Sequence, residues 1–220
     1  MCRMRKIASL VSGLLLGGCT VFGIRSGTPQ PAYTVIGRVG AVELRQYGAR
    51  LAAETTVHGG EIDARSVGFR RLAGYIFGAN TKPGGGAGEI QMTAPVEQMP
   101  GSPKTGQEVA MTAPVAQERA GRDAWTIRFF LPSNLTLATA PRPRDPTIRL
   151  LDVPSETMAV LRFSGIPGAR AVAEHSRRLL SALSGSAWRP TGPVVAWFYD
   201  PPWTLPWWRR NEVAVPVQHR

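Results

Sequence analysis

Three stretches of this chain recur in the same order, and that order limits the folds open to it. "VELRQYGARLAAETTV" from Val42 resembles "IRLLDVPSETMAVLRF" from Ile148, and each reads as strand, tight turn, apolar strand. "FRRLAGYIFG" from Phe69 resembles "SRRLLSALSG" from Ser176, each a helix with Arg-Arg-Leu in register and a closing glycine. "MTAPV" from Met92 resembles "VAVPV" from Val213. The recurrences are 106 to 121 residues apart. The chain therefore reads as two strand–strand–helix–strand halves, facing each other in one α+β domain.

The local patterns agree. In "AVELRQY", Val42, Leu44 and Gln46 alternate with Glu43, Arg45 and Tyr47, a half-buried strand, and "ARLAAETTV" returns after Gly48. Ile62, Val67, Leu72, Tyr75 and Ile76, with Phe69 and Phe77, fit a helix that Gly78 stops. "NTKPGGGAG" is a flexible loop, and "WTIRFFLP" at 125–132 is a further strand. MTAPV occurs twice, at 92–96 and 111–115. Ile90, Met92, Ala94 and Val96 share one face, as do Val109, Met111, Ala113 and Val115. Each copy reads as a strand ended by a proline that cannot donate to a ladder, and the pair as a long hairpin.

With 220 residues and 43% apolar content, the chain suits one domain with a real core. Its formal charge of +11 comes almost wholly from arginine. No basic run exceeds two residues, so a nucleic-acid groove is not indicated. Arg3, Arg5 and Lys6 precede an apolar stretch from Ile7 to Leu16, long enough for a signal-peptide core and too short to span a bilayer. Leu16-Gly17-Gly18-Cys19 follows and resembles the bacterial lipobox, in which the cysteine becomes a lipidated N-terminus. An ordinary signal peptide with a chance cysteine is the other reading. Residues 1–18 are expected to be a lipoprotein signal peptide, 19–32 the lipidated tether and 33–218 the folded domain. Thr20 after Cys19, in place of Asp, resembles lipoproteins sorted to the outer membrane. The expected location is the periplasmic face of a bacterial cell envelope. Several acyl chains would hold the protein there, each buried methylene contributing about 0.8 kcal/mol.

"VELRQYGARLAAET", "GFRRLAGYIFGAN", "IQMTAPV", "WTIRFFLPS", "PRPRDPTIRLLDVPSETMAVLRFSG" and "WFYDPPWTLPWWRRNEVAVPV" together resemble the SOUL haem-binding protein family, over nearly the whole span from Tyr33 to Val217. The resemblance implies a distorted antiparallel β-barrel with two main helices, built as a duplicated half and similar to GyrI-like folds. It also implies binding of haem or another tetrapyrrole. Haem needs a flat apolar surface, cations for two propionates and, optionally, an iron ligand. Trp203, Trp207 and Trp208 lie among prolines in "DPPWTLPWWRR", where stiff backbone and indoles would make a planar wall, with Arg209 and Arg210 placed to meet carboxylates. Two other readings of this loop stand: the aromatics close the barrel end, or the tryptophans dip into the membrane interface.

Arg71 and Arg178, each the second of an Arg pair on its helix, are candidates to line a groove for propionates, and Tyr47 and Tyr75 are pocket candidates. Some family members carry a histidine just before the motif tyrosine, and this chain has Gln46 there. His58, His175 and His219 read as solvated, with His175 starting the second helix. Met92 and Met111 are soft ligands in principle and core filler more often. The metal ligand is therefore unknown, and haem is expected to be weakly held by apolar contact. The partners expected are haem or a related small molecule and a membrane, with no nucleic acid, and the protein is expected to be a monomer. No Ser-His-Asp, Cys-His or metal-ligand spacing appears, so an enzyme is not expected. The alternatives are a GyrI-like enzyme using Glu54 or Glu156 as a base on another hydrophobic molecule, and a ligand-free envelope interaction module.

Overall fold

The computed structural model describes residues 28–100 and 124–220. Cys19 with its lipobox-like segment, and the second MTAPV copy with Met111, lie outside the described residues. The elements run β1 (Tyr33–Val39), β2 (Val42–Tyr47), β3 (Arg50–His58), α1 (Glu61–Ile76), β4 (Asn80–Thr81), β5 (Val96–Pro100), β6 (Ala124–Phe130) and β7 (Arg142–Pro143). Then come β8 (Ile148–Val153), β9 (Glu156–Phe163), α2 (Ala169–Leu183), β10 (Trp188–Pro190), β11 (Val195–Phe198) and β12 (Asn211–His219).

The fold is α+β, with two helices on one antiparallel sheet. The strand order is β1-β2-β9-β12-β11-β5-β6-β3-β8, with β10 beside β12. Beyond β1, this order reads the same from either end when strands β2 and β3 are exchanged with β8 and β9, and β5 and β6 with β11 and β12; β2 pairs with β9 and β3 with β8, so neither consecutive pair is a hairpin. The sequence correspondence between MTAPV and VAVPV does not follow this exchange. MTAPV leads into β5, whereas VAVPV lies in β12, whose place matches that of β6.

Three further expectations change. The sheet is open: β1 and β8 end the order without pairing to each other, so no barrel closes. Both have edge features, a register irregularity between Val35 and Gly37 in β1 and exposed Arg149 and Asp152 in β8. Residues 90–95 are irregular and do not form a strand; a cis peptide joins Ala94 to Pro95, and β5 begins only at Val96. The Ala94 N–H donates to Pro29 O (2.9 Å) and the Thr93 hydroxyl to Phe130 O, so this backbone is paired outside any ladder. Finally, α2 begins at Ala169, directly after Pro167-Gly168, which places His175 in its second turn.

Both helices lie on the same face. Leu72, Tyr75 and Ile76 of α1 pack on Leu51, Ala53, Ile127, Phe129 and Ile148. Leu179 and Leu183 of α2 pack on Val42, Leu44, Ala159, Val213 and Val215. Burying each such aliphatic side chain contributes about 1.5–3 kcal/mol. The Tyr75 hydroxyl reaches Pro141 O at 2.8 Å, and that burial pushes it up to about 12. The closest approach is at Gly68, where an added Cβ would sit 2.2 Å from Ile127 Cγ1, with Ile127 fully buried. Gly68→Ala is therefore expected to destabilise the domain by about 1–3 kcal/mol through overpacking, read as a lowered urea midpoint with unchanged slope. Gly74→Ala, where nothing lies within 4 Å, should leave the midpoint unchanged or raised.

Candidate functional site

The face of the sheet opposite the helices is unusual in being charged and buried at once. One row of directly opposed residues crosses seven strands: Arg149, Glu54, Arg128, Glu97, Trp197, Glu212 and Arg162. Alternate signs on neighbouring strands attract across the ladder. Arg128 donates to Glu54 (2.7 Å) and to Glu97 (2.7 Å), and the Trp197 indole N–H donates to Glu97 at 2.8 Å. Arg149 closes on the other oxygen of Glu54. Glu212, with no exposed surface, accepts from Arg45 (2.9 Å), Arg210 (2.8 Å) and the Tyr199 hydroxyl (2.6 Å). Burial raises the Glu212 carboxyl, but Arg45, Arg210 and the tyrosine outweigh it and hold the group below its usual 4.5. Burial also pushes Tyr199 well up.

Beside this row is an aromatic slot. Tyr33, Tyr47, Phe130, Trp197 and Tyr199 line it, with Arg50 on its wall and Gln30 and Pro31 across it. Its volume of about 10 Å³ admits about one water and no macrocycle. Tyr47 is packed against Tyr33 and Trp197, and burial pushes its hydroxyl up to about 12.

The loop between β11 and β12 presents the tryptophans outward: Trp203, Trp207 and Trp208 are 63%, 67% and 53% exposed. Their backbone is fixed. The Trp208 N–H bonds Leu205 O (2.9 Å), and the Gly165 N–H bonds Pro206 O (2.8 Å), which brings the turn before α2 alongside. Arg209 folds back on the loop, donating to Thr204 O (2.7 Å) and Pro202 O, so it stiffens the platform. Arg210 turns inward to Glu212 and over the Tyr199 ring, 4.0 Å from its centroid. The arginines expected at carboxylates of a ligand thus serve the protein's own groups. Sequence reasoning missed Ile166, 67% exposed on the adjoining turn, and Arg170, exposed in the first turn of α2. Its signal was available, since "SGIPGAR" puts an isoleucine between two turn glycines.

The other candidates are dispersed. Tyr75 and half-buried Met92 belong to the core under α1. Arg71 makes long contacts to Thr55 (3.4 Å) and Thr56 O (3.5 Å). Arg178 is exposed and paired with Glu174. Gln46 is engaged between strands, accepting from the Thr157 hydroxyl at 2.5 Å. His175 is half-buried, its Nδ1 within 2.8 Å of Ala171 O and its ring stacked 4.1 Å from Phe163. His58 and His219 are exposed. Among the described residues, no three His, Cys, Asp or Glu groups gather as a metal site. An open groove of about 530 Å³ also runs between Lys82, Ile90, Pro132 and Leu135, at the far end of α1.

The sequence profile of the SOUL heme-binding protein family matches residues 28–216. No curated protein matches. Among solved structures, the C-terminal domain of EcmrR superposes with a TM-score of 0.57 at 10% identity, covering 86% of this chain and 99% of that one. An uncharacterised conserved protein from Listeria innocua gives 0.52 at 12% identity, covering 80% and 92%. A hydrolase from Listeria innocua gives 0.50 at 11%, covering 80% and 91%. At these identities the likeness is one of fold alone.

The buried carboxylate of Glu212 makes a testable demand. Glu212→Gln strands two guanidinium groups and is expected to cost about 3–5 kcal/mol at neutral pH. Because the folded-state value is depressed, Glu212 stabilises above its usual 4.5 and loses that contribution as the pH falls through the lower folded value. Thermal melts of the two proteins should therefore differ most at pH 7 and converge toward pH 3.

Proposed function

Because the chain belongs to the SOUL heme-binding protein family, we propose that it binds haem or a related tetrapyrrole on the tryptophan platform. The observation that carries this reading is the exposure of Trp203, Trp207, Trp208 and Ile166 on backbone that is already fixed. A flat macrocycle laid on pre-ordered indoles removes apolar surface from water with little loss of loop entropy. The slot on the charged face is too small for it.

The fit is to the ring rather than to the metal. The platform offers indole, proline and isoleucine surface and no His, Cys or Met at its centre. Arg170 is the exposed cation beside Ile166, and the N-terminus of α2 at Gly168 has no side-chain cap, so both suit a propionate. Bound haem would supply iron chemistry. The chain's own part is to hold the ring by its face and to pair its carboxylates. Held without a protein ligand, the ring would bind weakly and exchange readily, as transfer or sensing requires. Glu54, the candidate base, accepts from Arg128 and Arg149, and we assign it no proton-transfer role.

The exchange symmetry of the strand order supports reading the two halves as a duplicated unit. The lipobox-like Leu16–Cys19 supports tethering to the envelope membrane through residues 19–32; we take the tethered protein to be a monomer. Radiolabelled palmitate should then be incorporated by the host-expressed protein and lost in Cys19→Ser.

Hemin titrated into the folded domain should give a saturable Soret shift. Replacing Trp207 and Trp208 by Ala should weaken it about 10- to 100-fold, the loss of roughly 1.5–3 kcal/mol of apolar burial, without lowering the melting temperature. His175→Ala should leave the Soret maximum in place. Full affinity in the double tryptophan variant would overturn the assignment.

A further inference from the structure

We propose that the aromatic slot around Arg50 is a second small-molecule site, shaped for a neutral single-ring aromatic compound bearing a carbonyl oxygen, and held shut by residues 28–32. It is independent of the tetrapyrrole reading, since it lies on the charged face of the sheet and not on the platform.

The starting point is Arg50. Its side chain is 8% exposed, and its guanidinium carbon lies 4.5 Å from the ring centroids of both Tyr47 and Phe130. One nitrogen, Nη2, donates to Glu156. The other two, Nε and Nη1, are buried with no hydrogen-bond partner among the described residues. A buried donor left unpaired costs about 1–3 kcal/mol, so a guanidinium with two of them, on the wall of a slot, calls for an acceptor.

Charge decides what kind of acceptor. Arg50 already has Glu156, and the network on this face pairs Arg45, Arg50, Arg128, Arg149 and Arg210 with Glu43, Glu54, Glu97, Glu156 and Glu212. An added anion would be buried without a countercharge, which is expensive. A carbonyl oxygen accepts from Arg50 and adds no charge. The rest of the wall is ring surface, from Tyr33, Tyr47, Phe130, Trp197 and Tyr199, which favours an aromatic body.

What now fills the entrance is the chain itself. Gln30 and Pro31 border the slot, and the segment is fastened by Ala94 N–H to Pro29 O (2.9 Å) and Arg210 Nη1 to Gln30 Oε1 (3.2 Å). Thr28, Gln30 and Ala32 are exposed. A proline-containing segment laid over aromatic rings is the packing that Pro-rich peptides use in aromatic grooves. Here the strap and the ligand compete for the same rings. Closed, the slot has room for about one water; lifting a segment tied by two hydrogen bonds admits a single ring.

The test is calorimetric titration of the full-length protein in detergent with benzamide, benzoate and toluene. Benzamide should bind saturably, and benzoate and toluene each at least tenfold more weakly. Pro31→Gly, which loosens the strap, should tighten benzamide about 3- to 10-fold. Arg50→Lys, which removes the Nε–H and the fork, should weaken it at least tenfold. A purely structural Arg50 would not produce these opposite signs. If Arg50→Lys loses its near-ultraviolet circular dichroism, the direction seen with Pro31→Gly decides. No saturable benzamide binding to Pro31→Gly, unchanged or weaker binding in it, or benzoate binding more tightly than benzamide would each overturn the proposal. So would a crystal structure of Pro31→Gly grown with benzamide in which only a water meets Arg50.

Discussion

The row of opposed charges across the helix-free face governs the rest of the molecule. Arg149, Glu54, Arg128, Glu97, Trp197, Glu212 and Arg162 face one another across seven strands. A buried carboxylate or guanidinium without a partner costs several kcal/mol, so a one-residue slip in any of these strands would strand charges as well as turn the apolar set away from the helices. The ladder therefore fixes register from one end of the sheet to the other. The two helices fix only which face is greasy.

That solution has a consequence for ligands. A face that in outline could cradle a large molecule is filled by the protein's own arginines, glutamates and rings, and what is left holds about one water. Large apolar surface is instead offered at the rim, where proline and Arg209, folded back on the loop, hold three indoles more than half exposed. Exposure of this much tryptophan runs against burial energetics, and on a fixed backbone it suits a surface that trades water for a flat partner. The same loop supplies Arg210 to the buried cluster, so the platform's base is anchored in the charged core. Stiffness at the rim and order in the core are one construction.

Much of the fold could be read from residue order. The helix expected from Ile62 to Phe77 is found as Glu61–Ile76, and the strands from Val42 and Ile148 are where the strand–turn–strand pattern put them, although β2 pairs with β9 and β3 with β8 rather than each with its successor. These elements rest on periodicity, which is local. The MTAPV segment misled for a physical reason: its alternation of Met92, Ala94 and Val96 is that of a strand, but the backbone of Thr93 and Ala94 is bonded to Phe130 and Pro29 instead. Barrel closure also failed, since whether edge strands β1 and β8 meet depends on accumulated twist and on the exposed charges of β8, neither of which a single segment records. Of the site, the tryptophan loop was legible from its composition. Arg50 was not, because an arginine opening an apolar strand looks solvated until the sheet brings Tyr47 and Phe130 to either side of it.

The family, the two helices, most of the strands and the stiff indole-rich loop are all legible in residue order, because each depends on residues close together in the chain. Which arginines find a carboxylate is settled when the sheet assembles. Arg45, Arg128 and Arg210 are taken up by Glu212, Glu54 and Glu97, and Arg50 keeps two donors unmet among the described residues. The reason is one of distance: charge pairing in a sheet is set by partners on other strands, up to 167 residues away, and no local pattern says which of many arginines will find one.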